Sequence, residues 1–541
     1  MANFIRKNAW NNGGDFKNPD LLWYAKAVGK MMSRSLDDPA SWWFFAAMHG
    51  EYVNPKTAWY VKPPAFPDWG FITPKNDVPT APLPSKNIQD TFWNQCQHQS
   101  WYFAPWHRGY LLALEAQLRK DIGSLGGPSD WALPYWNYFG GNKGNQYPIP
   151  PAFTAKKLPD GTKNSLFVTM RYGPDGDGKI YLPTPAGEAA HPGDPNFSNG
   201  PVTDKCMKND VYTGSDSVTK LPGFGGPETP FWHGGGPSGN LENNPHNLVH
   251  VYVGGAVSNS VYGLMSDPGT AALDPIFYVH HANIDRMWEV WNANGNSNPT
   301  DPKWLNGPSN RRFAMPGPGG SPAYYTPMQM ANLKNLNYTY EEMPTLPPAG
   351  PAALSQRFAL LGAADAAEKA MSGRVPLALP KKTELVGANK GTLRIKGPVT
   401  HTVVKLDSGV RRKVIKSLAN ASEIALPDNI YLKVENVRGS FDAAVLGVYV
   451  NLPDKTKLAD KGKYRAGSLA LFGLRRASAK GGPHGGEGLT FLLDMTEIVD
   501  ELYVAKELDV DSLDISILPN RAIPADATIT IGRISVYRQT H

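Results

Sequence analysis

The stretch NQCQHQSWYFAPWHRGYLLALEAQLRK, Asn94–Lys120, sets His98 and His107 at the front of an amphipathic pattern, with Cys96 two residues before the first histidine. Leu111, Leu114 and Leu118 recur at helical spacing, which predicts a helix over Pro105–Lys120 that carries His107 near its start. Three other stretches repeat the arrangement. DPASWWFFAAMHG, Asp38–Gly50, reads as a helix with a proline near its start, a glycine stop and His49 at its end. NNPHNLVHVYVGG, Asn243–Gly255, reads as a shorter helix ended by paired glycines, with His246 and His250 one turn apart. DPIFYVHHANIDRMWEVWNANG, Asp274–Gly295, has Asp as N-cap, Pro at the first helical position, Gly at the end and the pair His280-His281 inside. Four helices that each bring histidine, joined by long loops rich in Pro, Gly and Asn, predict a mainly α domain in which a four-helix bundle holds a metal site.

The pattern changes further along. A chain of 541 residues is too long for one ordinary core, so more than one domain is expected. Residues 343–382, with MPTLPPAGPAALSQ, an Ala-rich stretch and VPLALPKK, read as a linker with one short helix. From Thr383 onward short runs such as TLRIK, HTVVKL, NIYLKVENV, AAVLGVYVNL, LTFLLDM and TITIGRISVYRQ predict a β-sandwich or jelly-roll-like domain. The expected division is therefore a catalytic domain over 1–342, a linker over 343–382 and a β-rich domain over 383–541.

Composition removes several function classes. The net charge of +6 comes from 54 basic and 48 acidic residues spread along the chain, without the basic run of a nucleic-acid surface. No stretch of about 18 apolar residues occurs, so no membrane span is expected. The first twenty residues lack an apolar signal core, and Cys96 and Cys206 alone build no disulfide framework. Together these predict a reducing, cytoplasmic setting; they leave the oligomeric state open. Aromatic residues crowd around the histidines in SWWFFAAMHG, SWYFAPWH and PYWNYFGG, which suggests a shielded site.

Seven of the twelve histidines lie on or just before the four helices. In HNLVH the position after the first histidine is Asn247, where a zinc protease needs glutamate as general base, so a hydrolase reading weakens. Di-iron bundles are built from several glutamates plus Glu-x-x-His pairs, and nothing of that kind stands next to these histidines. Imidazole ligands alone suit copper, zinc or nickel. His49, His98 and His107 in one group, with His246, His250 and His281 in the other, would hold two metals, and copper's one-electron couple makes such a pair useful toward dioxygen. Phe277 and Asp285 stand four residues before and after His281, where packing and a hydrogen bond could orient it; His281 is thus the expected ligand and His280 a neighbour behind it. His191, His233, His401, His484 and His541 have no such partners and are expected at the surface, His233 within reach of the entrance.

The motifs HQSWYFAPWHRGYL, ENNPHNLVH and DPIFYVHHANIDRMW resemble those of the type-3 dicopper tyrosinases and polyphenol oxidases, including catechol oxidases. DPKWLNG at 301–307, YTY at 338–340 and SFDAAVLGVYVN at 440–451 are similar to elements of the plant-type enzymes and their C-terminal domain. The resemblance implies two copper ions, dioxygen as co-substrate and small phenols as substrates, with ortho-hydroxylation of monophenols and oxidation of o-diphenols to o-quinones. It also implies latency until the C-terminal domain is displaced. Glu242 and Asn247 would hold the water that deprotonates a monophenol. Cys96-Gln97-His98 is similar to the Cys-x-His of fungal tyrosinases and molluscan haemocyanins, rather than to the distant cysteine of plant enzymes, and implies a thioether between Cys96 and His98. Pro268 falls where plant catechol oxidases carry an aromatic gate. Three alternatives stay open: a catechol oxidase without significant monophenolase activity, a haemocyanin-like oxygen carrier, and a dinuclear zinc or iron hydrolase.

Overall fold

A computed structural model describes residues 4–50, 78–93, 95–140, 147–183, 200–214, 221–231, 236–259, 261–309, 311–346, 349–372, 382–423, 426–453, 458–480, 485–508 and 511–540. His191, His233, His484 and His541 lie outside them.

The four histidine helices form, with shifted ends. The first spans Trp42–His49, because the Ser41 hydroxyl accepts the Phe44 amide at 3.0 Å and so caps it later than Asp38 would. All eight of its residues are buried. The second runs Phe103–Ser124, beyond both ends of the expected span. The third is Leu248–Gly254, preceded by a wide turn over Glu242–Asn247 rather than by more α-helix. Pro245 has no N–H to give to a helical ladder, and Asn244 is extended, at φ −149° and ψ 113°. The fourth runs Ile276–Ala293, so Pro275 takes the N-cap position expected of Asp274, whose carboxylate still accepts the Ile276 amide at 3.0 Å.

A buried ionic lattice ties these helices to the N-terminus. Residues Phe4–Arg6 pair in parallel with Tyr338–Tyr340, and Arg6, fully buried, donates to Glu115 on the second helix and to Asp285 on the fourth at 3.0 Å. Arg108 donates to the other Asp285 oxygen at 2.5 Å. A buried charge is tolerated only when it is paired and hydrogen-bonded, and each of these is.

The expected linker holds two helices, Ala349–Leu360 and Ala364–Met371, because its alanines favour helix and Pro351 falls in the first turn, where proline is tolerated. Arg357 fastens the first to the C-terminal region through Asp500 at 2.7 Å and the carbonyls of Pro427 and Asp428. Beyond it, among the described residues, nine strands form one β-rich, barrel-like antiparallel sheet. Its path runs Arg465–Ala470, Val445–Val450, Ser512–Pro519, Thr400–Leu406, Lys382–Asn389, Ile529–Thr540, Asn429–Gly439 and Leu489–Asp494, with Leu393–Arg394 also on Ile529–Thr540. Its two end strands lie beside each other, which curls the sheet. Asn429–Gly439 largely alternates between buried and half-exposed residues, as a strand with one wet face should, whereas Val445–Val450 is buried on both faces. The covering on that second face includes the helical part: Val445 stands where a Cβ on Gly200 would press.

Candidate dicopper site

Two histidine groups meet at the centre of the helices. His49, His98 and His107 gather with Cys96, and His246, His250 and His281 gather with His280; in each group the ligand atoms lie within 4.8 Å of one another, and every residue is buried. Backbone carbonyls set the orientation of three rings. The Nδ1–H of His49 donates to Pro268 at 2.9 Å, that of His107 to Phe103 at 2.8 Å and that of His250 to Met265 at 2.9 Å. His246 donates its Nδ1–H to the Asn247 side-chain oxygen at 2.8 Å. A neutral imidazole that gives its proton at Nδ1 presents a lone pair at Nε2, so all four offer Nε2 inward.

Those nitrogens converge. Nε2 of His246 lies 3.1 Å from Nε2 of both His250 and His281, which are 3.4 Å apart, and Nε2 of His49 lies 3.4 Å from that of His107. Metal–imidazole distances of about 2.0 Å in tetrahedral geometry put ligand nitrogens about 3.3 Å apart, so the spacing matches a shared cation. Burial pushes the pKa of His246 down to about 3, and burial together with neighbouring histidines holds His107, His250 and His281 well below the ordinary imidazole value. The rings are therefore neutral at physiological pH, the form that binds metal. The groups are adjacent, since the His107 and His281 rings stack at 4.6 Å and 18°.

Phe277 packs on His281 with ring centroids 4.1 Å apart, and His280 belongs to the same cluster, 5.4 Å from the His246 ring and with Nδ1 3.4 Å from the Tyr138 hydroxyl. Asp285 requires a correction. Its carboxylate accepts from Arg6, Arg108, Tyr338 at 2.6 Å and Tyr340, so it faces the ionic lattice and does not hydrogen-bond to His281. Two guanidinium groups outcompete a neutral ring for one carboxylate. Glu242 is buried with both oxygens 2.9 Å from the Gln99 amide, and burial lifts its carboxyl to about 8 despite that amide and the amide of Gly239. Gln99 takes a left-handed φ of 53° to aim the amide, a feature no sequence pattern announces. Cys96 Sγ lies 3.6 Å from His98 Nδ1 and 3.7 Å from His107 Nε2. His401 lies far off in the sheet, its Nδ1 3.0 Å from Ser516.

Sequence reasoning missed what covers the histidines. Phe472, just beyond the Arg465–Ala470 strand, lays its ring on His250 with centroids 4.3 Å apart and planes at 25°, and its edge approaches His246 and His98 at 6.0 and 6.2 Å. Just after it, Arg475 and Arg476 reach the helical part. Arg476 Nε donates to Asp267 at 3.0 Å, and Arg475 donates to the other Asp267 oxygen at 2.7 Å while Asp442 holds it at 3.1 Å.

Comparison with known proteins decides the family. Over 537 residues, 97% of this chain and 98% of the relative, the sequence is 30% identical to tyrosinase HcTyr1 of a Hahella species. The chain belongs to the tyrosinase family. The common central domain of tyrosinase matches residues 39–294, and a domain of unknown function matches 382–539. The latent polyphenol oxidase of Prunus armeniaca is 29% identical over 295 residues, 53% of this chain and 40% of that protein. Among solved structures, latent apple tyrosinase superposes with a TM-score of 0.55 at 20% identity, over 99% of this chain and 97% of the other, which establishes the shared fold. As a tyrosinase-family member with two buried imidazole groups, this protein is a dicopper oxidase of phenolic substrates that uses dioxygen. One expectation falls here. The plant relatives from apricot, tomato and potato are chloroplastic, so a low cysteine count does not assign this family to the cytoplasm. Among the described residues no helix is long and apolar enough to cross a membrane.

Proposed function

We propose that this enzyme ortho-hydroxylates monophenols and oxidises o-diphenols to o-quinones, and that residues 383–541 keep it latent by covering the site formed within residues 1–342. His49, His98 and His107 would hold one copper, and His246, His250 and His281 the other. The metal pair, when bound, supplies reversible electron transfer to dioxygen; the rest falls to the protein's own residues. Carbonyls of Pro268, Phe103 and Met265 and the Asn247 amide fix the rings before metal arrives, so little reorganisation accompanies turnover. A thioether between Cys96 and His98 would lock a ligand that comes from a loop. The observation that carries latency is the Phe472 ring stacked on His250, where a phenol ring would otherwise lie.

Hydroxylation needs a base, because a phenol of pKa about 10 reaches the metal only after losing its proton. Glu242, buried and held by the Gln99 amide, and Asn247, beside His246, would hold the water that takes it. In copper-loaded enzyme with the lid displaced, Glu242→Gln should depress tyramine hydroxylation at least tenfold more than oxidation of the matching catechol. Equal losses on both would leave Glu242 as a structural carboxylate and the protein as a catechol oxidase.

A further inference from the structure

The segment that closes the site reads Phe472-Gly473-Leu474-Arg475-Arg476. Its ring lies on the histidines, and its two guanidinium groups share one carboxylate three to four residues further on. Asp267 is fully buried under them, in the short loop that also positions the metal site: Met265 accepts from His250 and Pro268 from His49. The loop is shaped to receive arginine. A side chain on Gly269 would overlap Arg476 Nη2, and the Gly269 amide holds the Asp267 Oδ1 atom at 2.7 Å. Gly473 turns the lid past Pro268 with a φ of 79°, a conformation that favours glycine, and a Cβ there would touch the Pro268 ring at 3.3 Å. The Arg475 guanidinium also lies 4.1 Å from the centre of the Tyr262 ring.

When the lid leaves, this loop keeps a carboxylate at the rim with no cation on it. We infer that the lid is a pseudosubstrate and that the uncovered enzyme acts on tyrosyl residues of basic peptides, with arginine three or four residues after the tyrosine bound at Asp267. The inference rests on the phenol-oxidising reading above and adds the substrate class. Phenylalanine in the lid has no hydroxyl to be oxidised, so the segment occupies the site without being consumed. In a peptide, one tyrosyl phenol and one dioxygen give one o-quinone and one water. One oxygen atom enters the ring, and the other leaves as water with the phenolic and ortho hydrogens. Asp267 takes no part in that chemistry; it orients the peptide.

The test uses the full-length chain with Phe472→Ala, Arg475→Ala and Arg476→Ala, which removes the ring over the histidines and frees Asp267 without altering the helical part. Calorimetry with the unreactive peptide Phe-Gly-Leu-Arg-Arg reads binding whether or not copper is present. It should bind about tenfold or more tighter than Phe-Gly-Leu-Glu-Glu, and Asp267→Asn added to the same chain should bring the two together. With copper loaded, the same ratio should appear in kcat/KM for Tyr-Gly-Leu-Arg-Arg over Tyr-Gly-Leu-Glu-Glu. If that variant does not fold, Phe472→Ala with Arg475→Ala, which keeps the buried Arg476–Asp267 pair and frees only the second Asp267 oxygen, should show the same order with a smaller ratio. Equal binding of both peptides, or a preference that survives Asp267→Asn, overturns the inference. Peptide selectivity in binding combined with no oxidation of simple catechol would instead count against the oxidase reading and leave the subsite intact.

Discussion

If residues 383–541 keep the enzyme latent, removing the Phe472 ring should switch it on. The side chain is 6% exposed and packs on His250 with centroids 4.3 Å apart, so truncation to alanine takes away a fully formed aromatic contact and leaves a hole over the histidines. Buried Phe→Ala substitutions cost about 3–5 kcal/mol. If that cost falls on the docked lid, the equilibrium between docked and open lid moves toward open by about a hundredfold or more, at about 1.4 kcal/mol per factor of ten. Even with the lid docked, the hole admits a small ring. Initial rates of catechol oxidation at equal copper content should therefore rise by one to two orders of magnitude in Phe472→Ala. Phe491→Ala supplies the contrast, since Phe491 is buried in the sheet at 5% exposure on the Leu489–Asp494 strand. It should lower the thermal midpoint without a comparable gain in rate. A Phe472→Ala protein that melts earlier yet oxidises catechol within twofold of the unsubstituted rate would refute the reasoning.

Other consequences concern the scaffold and the loop ligand. Burial alone would raise the Asp285 carboxyl, but Arg108, Arg6 and the Tyr338 and Tyr340 hydroxyls outweigh it and hold it below the usual carboxylate range. A depressed folded-state value gives stability that is present above the unfolded value of about 3.9 and lost as pH falls through the folded one. Asp285→Asn should cost about 3–5 kcal/mol in denaturant melts at pH 7 and should flatten the acid side of the stability curve; an unchanged acid limb would count against the lattice. For Cys96 and His98, mass spectrometry of copper-loaded protein should find their peptide two hydrogens lighter, and an alkylatable Cys96 would exclude the thioether.

Much of this site could be read in the sequence because its elements are local. Proline near a helix start, glycine after its end and the one-turn pair of His246 and His250 are patterns of neighbouring residues, and they located the four helices. The boundaries moved where a side chain made the decision: Ser41 rather than Asp38 capped one helix, and Pro245 converted the start of another into a wide turn. Contacts between distant segments were not legible. Asp285 stands one turn from His281, so sequence spacing made it a partner of that ring, but Arg6 and Arg108 arrive from elsewhere and take both oxygens. Phe472 and Arg476 were hidden for the same reason, since a residue 222 positions from His250 acquires its role only when the sheet docks. The Ala-rich linker shows the opposite error, in which prolines masked a strong local preference for helix.

The most direct test of the central claim is metal stoichiometry by atomic emission on protein refolded or expressed with copper, in parallel with His107→Ala and His250→Ala. The two histidine groups predict two coppers per chain in the unsubstituted protein and about one in each variant. A chain that binds a single copper, or that keeps both after either substitution, would contradict the dicopper centre.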